Sequence, residues 1–150
     1  MKTLGSIVKD TNRELYMVAA DDTVQNAVLY MVERNIGAVT VVEGERVVGL
    51  FSERDLMRRV IARGRNPNEV KVREVMTTEL TTAGPEESYT EGLRKMHAIK
   101  SRHLPVLENN HFLGLVSLRD LLEIDADEKA EEIRMLNTYI HYLPPDFMHG

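Results

Sequence analysis

A short unit occurs twice in the chain, as Gly49–Leu50–Phe51–Ser52–Glu53–Arg54–Asp55–Leu56 and Gly114–Leu115–Val116–Ser117–Leu118–Arg119–Asp120–Leu121. The offset of 65 residues between the copies also pairs Thr23 with Ser88, Met31 with Met96, Val41 with Val106, Glu43 with Glu108 and, upstream, Ile7 with Val72. Read this way the alignment needs no gap. A fixed period that keeps both the apolar pattern and a polar motif marks an internal duplication. A chain of 150 residues holds two such halves. Units of about 60 residues bury little surface alone, so the halves must pack on each other. We read the repeats as residues 6–64 and 71–124, followed by a different segment over 125–143.

Each repeat carries the same series of local signals. A short extended segment comes first, Leu15–Tyr16–Met17–Val18 or Leu80–Thr81–Thr82. Thr23 and Ser88 then suit the N-cap of a helix whose inner face holds Val24, Ala27, Val28 and Met31, or Tyr89, Leu93 and Met96. The apolar runs Ala38–Val42 and Leu104–Leu107 predict strands. Turns at Glu43–Gly44–Glu45 and Glu108–Asn109–Asn110 have the residues that hairpins need. The strands return through Val47–Phe51 and Phe112–Val116. A second helix starts at Ser52 or Ser117; in the first copy Leu56, Met57, Val60 and Ile61 make its inner stripe. Gly64–Arg65–Asn66–Pro67–Asn68 links the copies. The expected fold is α/β: two βαββα repeats stacked with pseudo-two-fold symmetry, plus a C-terminal helix. The symmetry would form two related clefts between the halves.

The repeated motif has two readings. Ser52 and Asp55 form a Ser-x-x-Asp capping box, which needs no ligand. The same geometry suits a nucleotide. A helix N-terminus offers free N–H groups to a phosphate, and a carboxylate accepts from ribose hydroxyls. Arg54, Arg58 and Arg119 add donors suited to phosphate. Gly49 and Gly114, lacking side chains, permit another group to approach closely.

The paired Gly-h-h-Ser-x-x-Asp units, each after a βαββ pattern, resemble tandem cystathionine-β-synthase (CBS) domains. Val72–Arg73–Glu74–Val75–Met76–Thr77 resembles the entry of such repeats, and Arg102–His103–Leu104–Pro105–Val106 is similar to another of their segments. The resemblance implies a regulatory module that binds AMP, the first expectation, or ADP, ATP, NAD(H) or S-adenosylmethionine. Carried over by position, it places ribose on Asp55 and Asp120, and phosphate on Ser52 and Ser117. It implies base contacts at Ile36, Gly37, Ala38 and Val39 in one cleft and at Arg102, His103, Leu104 and Pro105 in the other. Met17, Val18, Thr82 and Ala83 would form the opposite walls. The difference between Gly37–Ala38 and Arg102–His103 predicts unequal sites.

The remaining features narrow the class. The net charge of −5 makes nucleic acid an unfavoured partner. There is no cysteine, no apolar run of membrane-spanning length and no signal core, so a cytoplasmic protein is expected. His97, His103, His111, His141 and His149 have no metal-ligand spacing, and no acid–base or nucleophile constellation calls for an enzyme. Segment 125–143 reads as a helix with Ile133, Leu136, Ile140 and Leu143 on one seam, ended by Pro144–Pro145. That seam suits either packing on the domain or a homodimer contact, and the resemblance favours the homodimer. The regulated partner is not legible. The alternative is a protein–protein interaction module in which both Ser-x-x-Asp motifs serve only as caps.

Overall fold

The computed structural model describes residues 1–10 and 15–141. Leu143, Pro144–Pro145 and His149 therefore lie outside the described residues. Helix α1 spans Leu4–Asp10 and precedes strand β1 at Met17–Ala19. Helix α2 (Val24–Arg34) leads into the hairpin of β2 (Ala38–Glu43) and β3 (Arg46–Ser52). A single turn, α3 (Glu53–Asp55), continues as a π-helical segment over Leu56–Ile61. The second half contains α4 (Val72–Val75), α5 (Tyr89–Ile99), β4 (His103–Glu108), β5 (His111–Ser117) and α6 (Leu118–His141). This is the α/β fold with two repeats and a C-terminal helix that the sequence predicts. Among the described residues no helix is long and apolar enough to cross a membrane.

The local signals explain the shared elements. Thr23 and Ser88 cap α2 and α5 by accepting from the amides of Asn26 and Glu91 at 3.1 and 3.2 Å. Both helices end on a left-handed residue, Asn35 (φ 53°) and Lys100 (φ 54°). The hairpins close with Gly44 at φ 64° in one and with Asn109 and Asn110 at φ 50° and 67° in the other, the positive φ that two-residue turns require. Both hairpins shift register at the same point, after Val41 and after Val106.

The repeats exchange their entry segments. Val72, Val75 and Met76, which open the second repeat, sit in the core of the first with Val39, Val41, Phe51 and Val60. Leu4 and Ile7, which open the chain, sit in the core of the second with Leu104, Val106, Val116 and Leu121. The amide of Leu4 donates to the Glu87 carbonyl at 2.8 Å, and that of Val72 donates to the Asp22 carbonyl at 2.9 Å. The structural partner of Val72 is thus Leu4, not Ile7. The entry helices are offset by 68 residues and the rest by 65, so the alignment does carry a gap, between α1 and β1.

The repeat glycines make this crossing possible. A Cβ on Gly49 would lie 2.5 Å from Met76 Sδ and 3.0 Å from the Thr77 carbonyl oxygen, and one on Gly114 would lie 2.7 Å from Val8 Cγ1. No side chain fits where the incoming chain crosses the returning strand.

Three further expectations are corrected. The second repeat has no first strand at Leu80–Thr82: only Ala83 bridges to Val106, so its sheet has two strands against three in the first repeat. In the first repeat Met57 and Ile61 do not join the inner stripe; they are 64% and 57% exposed, while Val60 is fully buried. The π-helical winding over Leu56–Ile61 widens the turn, so α-helical spacing no longer selects the inner face. Finally, segment 125–141 is the continuation of α6, not a separate helix. Buried Tyr89 holds it to α5 by donating its hydroxyl to Asp125 at 3.0 Å.

Candidate functional site

Two clefts lie between the repeats. The larger, of about 1160 Å³, holds Ser117, Arg119 and Asp120 from the second motif with Ile36, Gly37 and Ala38 from the first repeat. The smaller, of about 350 Å³, holds Ser52, Arg54 and Asp55 with Arg102, His103 and Pro105. Each motif therefore faces the loop before the hairpin of the opposite repeat. Within each repeat, Ser52 pairs with Ala38 and Ser117 with His103, so each motif serine also ends beside the residue that starts its own hairpin, and both loops contribute to each cleft.

The first motif is a closed hydrogen-bond box. Asp55 is 6% exposed and its Oδ2 accepts from the Ser52 amide at 2.9 Å and the Ser52 hydroxyl at 3.1 Å. Its Oδ1 accepts from the Thr77 hydroxyl at 3.1 Å and lies 3.7 Å from Arg59 Nε. Arg59 also donates to the Met76 carbonyl at 2.9 Å. Capping and the crossing entry strand thus meet on one carboxylate. In the second motif Asp120 accepts from the Ser117 amide at 3.1 Å, and the Asp120 amide donates to Ser117 Oγ at 3.0 Å. Asp120 is only half-buried and faces the larger cleft. It also opens a helix of 24 residues, whereas α3 has only three before the π-helical segment. The first turn of α6 brings a partial positive charge to this cleft.

The walls differ from the sequence expectation. Met17 and Val18 lie in β1, Val39 and Leu104 are fully buried in the two cores, and Ala83 belongs to the second core. Thr82 turns its carbonyl to Lys95 Nζ at 2.9 Å. None of these lines a cleft; the walls are Leu15–Tyr16 in the larger and Glu79–Leu80–Thr81 in the smaller. The extended segments enter the core one or two residues earlier than expected, and only their leading residues stay open. Arg58 also lies outside both clefts, because the π-helical winding turns Arg59 inward in its place.

One cluster in the larger cleft escaped the sequence reading. Arg34 stacks over the Tyr30 ring at 3.6 Å, donates to the Tyr30 carbonyl at 3.2 Å and lies 5.8 Å from the Tyr16 ring centre. Tyr16 meets Tyr30 edge to face at 6.3 Å. Tyr16 and Arg34 both line the cleft. At the 65-residue offset the second repeat has Thr81, Lys95 and Ile99 instead, so the difference between the copies was the available signal.

Gly37, Arg102 and His103 line both clefts. Burial pushes the His103 imidazole below its ordinary range; Asp120 and Glu53 oppose this, and Arg102 adds to it. His103 is therefore neutral at pH 7 and can both donate and accept. Among the described residues no three His, Asp or Glu side chains come together as a metal site.

Residues 5–62 and 72–127 match the model of the CBS domain. The chain belongs to the CBS-domain family. It is 37% identical over 145 residues to the mitochondrial CBS domain-containing protein CBSX3 of Arabidopsis thaliana, covering 93% of this chain and 69% of that one. A solved CBS-domain protein from Burkholderia ambifaria superposes with a TM-score of 0.76 at 35% identity, over 81% of this chain and 92% of that one. The CBS domain protein PAE2072 of Pyrobaculum aerophilum, solved in complex with AMP, shares the fold with a TM-score of 0.71 at 18% identity, over 79% and 88% of the two chains.

Proposed function

We propose that this CBS pair is a regulatory module that binds an adenine nucleotide, AMP foremost, with the principal site in the larger cleft. The observation that carries the reading is that half-buried Asp120, the first turn of α6, the arginines Arg34, Arg102 and Arg119, and Tyr16 all line this cleft. In this reading Asp120 accepts from the ribose hydroxyls. Ser117 and the first turn of α6 receive the phosphate, and Arg102 and Arg119 add charge to it. Tyr16, backed by Tyr30 and Arg34, supplies an apolar face for the base. The volume of about 1160 Å³ also admits ADP, ATP or NAD(H). The module binds without turnover and acts on another protein, since a ligand regulates when it binds two conformations unequally. Titration calorimetry of the pure protein with AMP, ATP and NADH tests this. Saturable binding that Asp120→Ala weakens strongly, with the fold intact, is the expected result. No heat with any of the three at millimolar concentration would overturn the reading.

The same chain also presents a surface for self-association. Ile133, Leu136 and Ile140 are exposed on one seam of α6, with Leu122 in register on the same face. Four apolar side chains at this spacing suit a second α6. The acidic residues of α6 are concentrated in its first half, so an antiparallel pair separates them. We therefore read the protein as a homodimer through α6. Light scattering of Ile133→Asp/Leu136→Asp should give a monomer, and a dimer of unchanged mass would refute the seam.

A further inference from the structure

We infer that the two clefts are coupled through Arg102, so that a phosphate-bearing ligand in one weakens the binding of a second in the other. The inference rests on the nucleotide reading of the clefts. Arg102 occupies the position that Gly37 holds in the other repeat, and both residues line both clefts. Their backbones do the same work: the Gly37 carbonyl accepts from the Glu53 amide at 3.0 Å, and the Arg102 carbonyl from the Leu118 amide at 2.7 Å. The shared wall thus joins the first turns of the two motif helices. Their side chains are not equivalent. Arg102 thus brings a single cationic side chain to a position that lines both clefts, and Gly37 brings none. A guanidinium paired to one phosphate has less to offer another.

The wall is also biased. A Cβ built at Gly37 would lie 3.3 Å from the Glu53 carboxylate, which lines the smaller cleft at the position of Leu118 in the larger one. A second anion in the smaller cleft finds Arg54 and Lys100 there but also meets Glu53, an Arg102 already paired, and the charge of the first ligand. The larger cleft therefore fills first, and its occupant suppresses the smaller. An uncharged nucleoside has no phosphate to compete for Arg102, so it escapes the coupling.

Calorimetry of the full chain with AMP and with adenosine separates these points. Binding free energies are coupled reciprocally, so disabling the larger cleft must strengthen the smaller one. The perturbation is Asp120→Ala; Asp120→Asn is a second variant that keeps an acceptor for the Ser117 amide. The expected result is AMP binding to the smaller cleft of the variant about five-fold or more tighter than the second step of the unaltered protein. The gain should vanish when Arg102→Gln is added, and adenosine should show none. A single AMP per chain before the substitution and one after it also supports coupling. An unchanged second affinity, or one AMP before and none after, overturns it while leaving the nucleotide reading intact. No AMP binding to the unaltered protein defeats that reading itself.

Discussion

Replacing Asp55 with alanine removes the acceptor for the Ser52 amide, the Ser52 hydroxyl and the Thr77 hydroxyl, at 2.9, 3.1 and 3.1 Å. It also leaves Arg59 without the carboxylate 3.7 Å away. Hydrogen bonds to a charged acceptor each contribute about 1.5–3 kcal/mol, and they are not additive within one network. The half-exposed Arg59 adds little, because water screens it. Solvent can replace part of what the Ser52 amide loses. A net loss of about 3 kcal/mol follows, close to that for breaking other buried polar networks. For a chain of this size that lowers the melting temperature by roughly 6–12 °C. Thr77→Val removes one bond and should cost about 1 kcal/mol. Urea unfolding of Asp55→Ala, Thr77→Val and the double variant, without ligand, measures both losses. The double variant should be about 1 kcal/mol more stable than the sum of the single losses predicts. An Asp55→Ala protein within about 1 kcal/mol of the parent, with no coupling to Thr77, would refute the claim that this carboxylate locks the crossing entry strand to the first motif.

Two smaller predictions follow from the backbone and from one ion pair. Lys100 ends α5 at φ 54°, a left-handed conformation that costs a side-chain-bearing residue about 1–2 kcal/mol, so Lys100→Gly should stabilise the fold by about 0.5 kcal/mol in urea unfolding, the loss of glycine entropy offsetting the rest. Burial raises the Glu87 pKa, but Lys95 at 2.8 Å and the Gly84 amide at 2.6 Å outweigh it and hold the carboxyl below its ordinary range. Its folded value being depressed, Glu87 contributes stability above the unfolded glutamate value and loses it as pH falls through the folded one. Unfolding followed against pH should show a shallower acid limb for Glu87→Gln, and an unchanged limb would contradict this linkage.

The sequence carried most of the architecture because each repeated element has its own local signal. Thr23 and Ser88 mark helix starts, Gly44 and Asn109–Asn110 mark hairpins, and the motif serines mark strand-to-helix turns. The exchange of entry segments has no local signal. Leu4 and Val72 look alike in sequence whether they pack on their own repeat or on the other one, and only the close approach at Gly49 and Gly114 records the crossing. The π-helical winding was hidden for a similar reason, since Leu56–Ile61 has ordinary helical composition. Of the site, the motif residues Ser117 and Asp120 and the loops Gly37–Ala38 and Arg102–His103 were legible and do face clefts. The walls were displaced by one or two residues, because Val18 and Ala83 are drawn into the cores. The Tyr16–Tyr30–Arg34 cluster was missed because its members are 14 and 4 residues apart and only the fold stacks them.

The two copies of the motif also turn out to differ in what surrounds them. Around Asp55 the capping function and the lock on Thr77 use both carboxylate oxygens, in a cleft of about 350 Å³. Asp120 faces the wider cleft and heads the longer helix. The two clefts thus differ as much through Thr77 as through the loops Gly37–Ala38 and Arg102–His103. Both the cap and the ligand reading of the motif can hold in one chain, with the cap dominant at Asp55.

The most direct test of the nucleotide reading is a crystal structure of the protein grown with AMP. AMP is expected in the larger cleft, with its ribose hydroxyls on Asp120, its phosphate at the first turn of α6 and its base against Tyr16. AMP found only at Asp55, or neither cleft holding AMP in crystals grown at saturating concentration, would contradict it.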